Sequence, residues 1–344
     1  MSFVPPRCPN TGCQHHRDPA GKFWVRKGSY QPRCRVRSIP RFRCKVCRRG
    51  FSSQTFRHDY RDRRPECNEL LFLLLASGVG LRQSARVLEL AAQSAQNKMR
   101  KIAATCASLH ENLMTTLPRN RVYVMDEDET FEVTSLRPLT VPIVIELDTW
   151  FVVATAVGSI RRLAAQGTRR RRRQDREELE SGPRPDTSSK CVRSVLTKLG
   201  GVARGRVSLR TDKKTSYPTI ARSVFGDRLM HQTTAGADPR TTENPLFPVN
   251  TTIKMTNDNC GRLHKQSWLA TKKAACLQLH LGLFTAYRNY VRRRHNYDDV
   301  NDTPAKLLHL LPRRLLAGEV LSWRQDWGSC SSHPMSRSGR RSVA

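Results

Sequence analysis

Two pairs of closely spaced cysteines near the N-terminus constrain the fold of this chain more than any other feature. Cys8 and Cys13 are separated by four residues, and Cys44 and Cys47 by two. Two such pairs, joined by a stretch that can form a hairpin, suit a tetrahedral zinc site in which four thiolates bind the metal at about 2.3 Å. The metal then replaces the hydrophobic core that so short a segment lacks. We therefore predict a structural zinc ribbon over residues 1–60.

The ligand set of this ribbon has alternatives. Cys34, His15 and His16 lie in the same segment, and each is able to replace one of the four cysteines. A disulfide framework is not expected, because the chain has eleven cysteines, an odd number, and no signal peptide precedes the first pair. We therefore expect free or metal-bound thiols and a cytoplasmic location.

The charge of the chain indicates an anionic partner. It carries 61 Lys and Arg against 29 Asp and Glu, a formal net charge of +32 that would repel itself in the folded state unless an anion compensates it. Fourteen of the basic residues lie within residues 1–60. No apolar run is long enough to predict a membrane span, and the basic residues are spread along the chain rather than along one amphipathic helix. Nucleic acid is therefore the expected partner.

Residues 61–118 have the pattern of a helix-turn-helix domain. The predicted helices cover about residues 66–77, about 81–90, and a third stretch that begins at Ser94 as its N-cap. Ala85 is small where the second helix must approach its partner. The side chains expected to project from the third helix toward DNA are Gln96, Asn97, Arg100 and Lys101. The alternative is a helical bundle with a solvated polar face.

Residues 119–297 follow the order strand, hairpin, helix, strand, helix, strand, helix, which is the order of an RNase H-like α/β domain. The predicted elements are 122–125 (strand), 141–157 (hairpin), 188–199 (helix), 207–210 (strand), 217–225 (helix), 229–232 (strand) and 251–295 (mostly helix). Within this domain, the arginine-rich insertion 161–187 is expected to be a loop or disordered, and it either lies on DNA or is a solvated run of charge. Residues 298–344 are predicted to be a C-terminal tail, in which 312–327 form either a packing helix or a contact with protein or DNA.

Acidic residues at strand ends are the candidates for chemistry. Moving a phosphodiester at neutral pH is helped by two divalent metals held in a carboxylate cluster, and Mg²⁺ prefers oxygen ligands. Asp126 follows the first predicted strand and Asp212 a later one, while Asp128 shares a strand face with Asp126 and is a credible substitute. The third acid is Glu243 or Asp258, with a slight preference for Glu243 although the two prolines after it oppose a helix.

These features together resemble bacterial insertion-sequence DDE transposases with an N-terminal zinc ribbon and a helix-turn-helix. The resemblance covers most of residues 7–295. It rests on residues 41–52 around the second cysteine pair, the helix-turn-helix, Met125-Asp126-Glu127, Asn244-Pro245-Leu246-Phe247 and the basic segment 262–268. In that last segment, Arg262 and Lys265 are candidates to hold DNA phosphates.

The resemblance implies an RNase H-like catalytic domain that depends on Mg²⁺ or Mn²⁺ and binds the terminal inverted repeats of double-stranded DNA. It also implies attack of a 3′-hydroxyl on a target strand within a homo-oligomer in the bacterial nucleoid. Asp126 and Asp212 would carry the first two catalytic and metal-binding roles, and Glu243 the third. The chain departs from the family's Glu-x-x-x-Asn pattern, because Phe247 and Pro248 precede Asn250. Two other functions stay open: a zinc-dependent DNA-binding repressor or decayed transposase without chemistry, and a structure-specific nuclease.

Overall fold

The N-terminal unit is a three-stranded antiparallel sheet around a small aromatic core. The structure, a computed structural model, describes residues 3–31, 38–57, 59–115, 117–236, 238–239, 241–265 and 268–323. The elements of this unit are α1 (Gln14–Arg17), β1 (Trp24–Tyr30), β2 (Ile39–Cys44) and β3 (Gly50–Ser52), with strand order β1-β2-β3. Alternation along β2 buries Phe42 and Cys44 and exposes Arg41 and Arg43. The sheet therefore has one face on the core and one basic face.

Three helices follow: α2 (Cys67–Ala76), α3 (Leu81–Val87) and α4 (Ala92–Leu113). The predicted positions are close to these, but Ser94 is not the cap of the third helix, which begins two residues earlier. Gly78, after α2, has a φ of +82°, and a Cβ there would lie 2.5 Å from the carbonyl oxygen of Asp258. Glycine is required at this position both for its backbone conformation and for the close approach of the two backbone segments.

A mixed six-stranded sheet forms the centre of the remaining chain. Its strands are β4 (Val122–Phe131), β5 (Pro138–Glu146), β6 (Val152–Thr155), β7 (Gly158–Ser159), β8 (Val207–Asp212) and β9 (Leu229–Thr234). The order is β6-β5-β4-β8-β9, with β7 paired to β5. β4 and β5 are antiparallel, whereas β4, β8 and β9 are parallel. The predicted hairpin is confirmed, because β5 turns into β6 across Asp148 and Thr149.

Helices cover both faces of this sheet. They are α6 (Ser188–Val202), α7 (Ser216–Phe225), α8 (Phe247–Asn259) and α9 (Ala274–Ala286), the last of which ends in a π-helical turn over Tyr287–Val291. Tyr123 and Met125 of β4 face the side of α6 and α7, and Val124 faces the side of α8. The sheet is thus buried on both sides, as parallel strands require.

The arginine-rich insertion is not a disordered loop over its whole length, since it contains α5 (Arg169–Ser181). Thr168 caps this helix by accepting a hydrogen bond from the Arg171 amide at 3.0 Å. The buried side chain of Gln174 bonds to the backbone of the preceding loop, and Glu177 pairs with Arg137. These contacts fix a segment whose composition alone predicts solvation.

Residues 298–323 of the C-terminal tail pack on the helices, and the rest of the tail lies outside the described residues. The packed part contains α10 (Pro304–Leu307) and α11 (Ala317–Ser322). Val320, Leu321 and Trp323 are buried in one core cluster that also contains Leu71 of α2 and Met125 of β4. The helical unit, one face of the sheet and the C-terminal segment therefore share a single core. No helix in the described ranges is long and apolar enough to cross a membrane.

Candidate metal sites and basic surfaces

Four cysteine side chains meet at one end of the N-terminal unit. The ligand atoms of Cys8, Cys13, Cys44 and Cys47 all lie within 4.8 Å of one another. The Sγ atoms of Cys8 and Cys47 are 3.5 Å apart, and those of Cys13 and Cys44 are 3.8 Å apart. Four sulfurs held tetrahedrally by one zinc ion at about 2.3 Å lie about 3.8 Å apart, whereas a disulfide needs about 2.0 Å. The group could therefore hold a metal ion, and its donors fit structural zinc.

The other candidate ligands of this site have different partners where the structure describes them. The Nδ1 atom of His16 lies 2.7 Å from the carbonyl oxygen of Cys8, and the ring of His15 stacks on Phe23. Cys34 lies outside the described residues. Both histidines therefore border the four-cysteine group without joining it.

Asp126 and Asp212 lie on neighbouring parallel strands. Val124 of β4 is opposite Arg210 of β8, so Asp126 and Asp212, two residues further along each strand, are at the same level. Val207, Leu209 and Thr211 of β8 are buried on one face of the sheet. Asp212 therefore lies on the opposite face, the face on which Asp126 also lies. Neighbouring strands are about 4.8 Å apart. The register therefore places the two residues at equivalent backbone positions, and both carboxylates lie near enough to Tyr217 to raise its pKa. Asp126 is inside β4 rather than at its end as predicted.

Glu127 lies on the opposite face and ties the loop after β8 to β4. Its Oε1 atom accepts hydrogen bonds from Lys214 Nζ at 2.6 Å and from the Tyr217 hydroxyl at 2.5 Å, and Thr140 donates to the other oxygen. The Lys214 amide donates to Asp212 Oδ1 at 3.0 Å. Burial raises the pKa of Tyr217, and the nearby carboxylates raise it further. In the sequence Glu127 is recognisable only as a neighbour of Asp126, because its partners come from distant segments.

Asp128 provides a further carboxylate on the face of Asp126. Its side chain is 12% exposed, and its Oδ1 atom lies 3.7 Å from Lys265 Nζ. The buried Oδ2 atom has no hydrogen-bond partner among the described residues. Burial raises the pKa of this carboxyl, while Lys265, Asn257 and Lys254 act in the opposite direction. Lys265, predicted as a DNA contact, thus lies beside the acidic residues.

The two candidates for the third acid both lie at the ends of α8. Glu243 is exposed in the turn before the helix and has no side-chain hydrogen bond or ion pair with any described residue. The prolines were expected to oppose a helix, but Pro248 lies in the first turn of α8, where no amide donor is needed. Asp258 is exposed in the last turn. No described contact joins either residue to Asp126 or Asp212, and the choice between them stays a prediction.

The side chains predicted to read DNA have two different environments on α4. Asn97 and Arg100 are exposed. Gln96 is half-buried, with its Nε2 atom 3.7 Å from Cys276 Sγ. Lys101 donates to Asp62 at 2.6 Å and to the Tyr60 carbonyl at 2.7 Å. The expectation that all four project outward is therefore corrected for Gln96 and Lys101, which face other parts of the protein.

Arg262 and Gln96 line the same groove, between α4 and the segment before α9. Burial lowers the pKa of the Arg262 guanidinium, and Arg262 has no ion pair with a carboxylate in the described ranges.

Comparison of the chain with protein-family models and with curated proteins finds no match.

Proposed function

We propose that the chain is a transposase of the DDE type, which cleaves and joins DNA strands at an RNase H-like domain. The observation that carries the proposal is that Asp126 and Asp212 occupy equivalent positions on neighbouring parallel strands. The sheet order β6-β5-β4-β8-β9 supports it, because this is the order expected of an RNase H-like domain. A protein that only binds DNA gains nothing from paired acids inside a chain of net charge +32, since each acid repels phosphate.

The acidic residues fit a divalent cation with hard oxygen ligands. Asp126 and Asp212 would hold Mg²⁺ or Mn²⁺, and the unpartnered Oδ2 of Asp128 makes it a third donor on the same face. Such ions, when bound, polarise the phosphate and stabilise the attacking and leaving oxygens. Glu127 holds Lys214 and Tyr217 and thereby fixes the backbone on which Asp212 is presented. Lys254 and Lys265 place positive charge beside this face, where a scissile phosphate would lie.

Binding of the element's ends is assigned to the N-terminal half. We take the metal of the four-cysteine group to be structural zinc, which would support the exposed Arg41 and Arg43 on the outer face of β2. Asn97 and Arg100 are exposed on α4 and are suited to contact bases or phosphates of double-stranded DNA. A homo-oligomer on DNA follows from the proposed reaction, since two ends must be joined to one target.

The test is metal-dependent cleavage of a DNA duplex that carries the repeat flanking the gene. Wild-type protein should nick it with Mg²⁺, whereas Asp212→Asn should bind the duplex and leave it intact. The matched control is Asp227→Asn, an exposed acid just before β9 with no described ion pair. Equal nicking by the wild type and Asp212→Asn overturns the assignment. Joining of pre-cleaved 3′-hydroxyl ends separates a transposase from a nuclease.

A non-catalytic DNA-binding protein is the second candidate. It is favoured by one observation: α8 places Asn257, not a carboxylate, against Asp128. Among the residues that the structure describes, the four cysteines are the only group of three or more potential ligands gathered within 4.8 Å. Duplex binding without nicking in the presence of either Mg²⁺ or Mn²⁺ would identify this second function.

A further inference from the structure

A groove of about 670 Å³ separates the helices α3 and α4 from the segment that leads into α9. Among the residues that the structure describes, no acidic residue lines it and six cationic side chains do: Arg82, Arg86, Arg100, Arg262, Lys272 and Lys273. None of the six pairs with a carboxylate in the part of the chain that the structure describes. Like charges this close repel one another unless an anion lies between them. The charge of the lining therefore favours an anionic ligand.

Arg262 is the most constrained of these cations. It is half-buried, and its burial lowers the pKa of the guanidinium. A guanidinium withdrawn from water without a carboxylate partner costs free energy unless a ligand provides the acceptors. Its planar donors match phosphate oxygens, to which arginine can bind through two parallel hydrogen bonds.

The rest of the lining adds groups that recognise bases. Gln83, Gln93 and Gln96 line the groove, and the Oε1 atom of Gln83 is buried without a described hydrogen-bond partner. Trp268 also lines it, yet its side chain is 94% exposed. An aromatic ring this open is a platform on which an unpaired base can stack, and glutamine amides can bond to the edge of such a base.

We propose that this groove binds a short unpaired segment of a nucleic-acid strand, with the phosphates on the cations and a base on Trp268. Its volume is within the range of sites for single small ligands, about 300–1,000 Å³, and matches about one or two nucleotides of a single strand. The identity of the strand as DNA rests on the proposed function. The groove lies next to Arg100 of α4, so the strand would be one opened beside the bound duplex.

The test measures fluorescence anisotropy with a labelled oligothymidine of about ten nucleotides. The zinc-loaded full chain is used without added Mg²⁺, so that no cleavage occurs. Arg262→Gln combined with Lys272→Gln should weaken binding at least about tenfold, whereas Arg204→Gln combined with Arg206→Gln should change it less than about twofold. The control pair removes the same charge from exposed positions with no described ion pair. Equal losses in the two variants overturn the proposal.

A second variant tests the stacking partner. Trp268→Ala should weaken oligothymidine binding at least about fivefold, and Trp268→Phe should retain most of it. Binding of a blunt duplex should be unchanged in both. Loss of duplex binding in parallel overturns the proposal, as does an unchanged affinity for the single strand in Trp268→Ala. If Arg262→Gln fails to fold, the exposed pair Lys272 and Lys273 is replaced by glutamine instead.

Two further arms separate this inference from the proposed function. Asp212→Asn should bind oligothymidine as the wild type does, because the acidic residues do not line the groove. A groove that binds the strand in a protein that never nicks DNA would stand while the transposase proposal fell. Tighter binding of oligouridine than of oligothymidine would support the proposal that the groove binds a single strand. It would overturn the assignment of that strand as DNA.

Discussion

Asp126 and Asp212 occupy the same level and the same face of the neighbouring parallel strands β4 and β8. Packing fixes this relationship, since Val124 lies opposite Arg210 and the alternate residues Val207 and Leu209 are buried on the other face. A slip of one residue in β8 would turn Asp212 toward the core and expose an apolar set. The pair is therefore held by the hydrophobic pattern of the strands before any metal binds.

Replacement of the Glu127 side chain should weaken the positioning of Asp212 relative to Asp126, while the Glu127 amide keeps its hydrogen bond to Asp126 Oδ1. Glu127→Ala removes the partner of Lys214, Tyr217 and Thr140, so the loop that follows Asp212 loses its tie to β4. We expect the free energy of unfolding to fall by about 1–3 kcal/mol, since Glu127 is buried but Lys214 is half-exposed. DNA strand cleavage by Glu127→Ala should require a higher Mg²⁺ concentration than cleavage by the wild type. Urea unfolding and a metal titration of nicking measure the two effects.

Tyr217→Phe is the control for this prediction. It removes one hydrogen bond to Glu127 and keeps the ring, and should cost about 0.5–1.5 kcal/mol. In the double variant the two losses should not add, because both report on one cluster. Additive losses would contradict the role given to Glu127.

Removal of the metal should unfold the N-terminal unit alone. Its core consists of a few aromatic rings around three buried cysteines, which is too little apolar surface for independent stability. A chelator, or Cys44→Ser, should abolish the protection of amides in β1–β3 from hydrogen exchange and leave that of β4–β9 intact. One zinc per chain should be released. Retained protection in β2 after complete zinc loss would contradict the assignment.

The sequence predicts those parts of the fold that depend on local periodicity. The cysteine pairs, the three helices after them and the strands that lead to Asp126 and Asp212 are signalled by spacing and alternation, and the structure has them close to the predicted positions. Helix α5 is not predicted, because its five arginines have the composition of solvated charge, whereas Gln174 and Glu177 anchor it through residues outside the helix.

The surroundings of the site could not be predicted in the same way. Lys214 and Glu127 are 87 residues apart, and no local pattern relates them. Gln96 faces Cys276 rather than solvent because α4 packs on α9, a tertiary contact that helical periodicity does not reveal. Likewise, the sequence does not reveal that one oxygen of Asp128 is buried without a described hydrogen-bond partner.

The buried ion pair of Lys98 and Asp62 should be the most sensitive polar contact in the helical unit. Lys98 Nζ lies 3.1 Å from Asp62 Oδ2 and also donates to Asn68 and to the Arg64 carbonyl. Burial raises the pKa of Asp62, but hydrogen bonds from Lys101, Asn68 and Lys98 hold it below its usual range. Asp62→Ala leaves a buried ammonium without its counter-charge and should cost about 3–5 kcal/mol, measured by urea unfolding.

The matched change is the double variant Asp62→Ala with Lys98→Met, which removes both charges. It should recover part of the loss, because an apolar pair of similar volume does not leave a buried charge unpaired. A double variant less stable than Asp62→Ala alone would show that Lys98 stabilises the unit through its other two acceptors.

Two buried histidines should make stability fall with acidity. Burial lowers the pKa of His110 and that of His280 to about 4 each. His110 Nδ1 accepts from the Tyr290 hydroxyl at 2.7 Å, and His280 Nε2 donates to the Leu75 carbonyl at 2.8 Å. Both rings are therefore neutral in the fold, and protonation would cost His110 its acceptor and leave a charged donor on His280 Nδ1, which has no described partner.

The direction in which stability changes with pH follows from proton binding by the folded and unfolded states. In the unfolded chain a histidine has its ordinary pKa of about 6.5, so between that pH and about 4 the unfolded state binds more protons than the folded one. The stabilisation is thus fully present above about pH 6.5 and is lost as the pH falls toward 4, by about 1.4 kcal/mol per pH unit for each histidine. Urea unfolding at about pH 7 and about pH 5 measures the slope. His280→Gln retains an N–H donor for the Leu75 carbonyl and should lower the slope by the contribution of one histidine, whereas a slope unchanged by this variant would contradict the neutral buried ring.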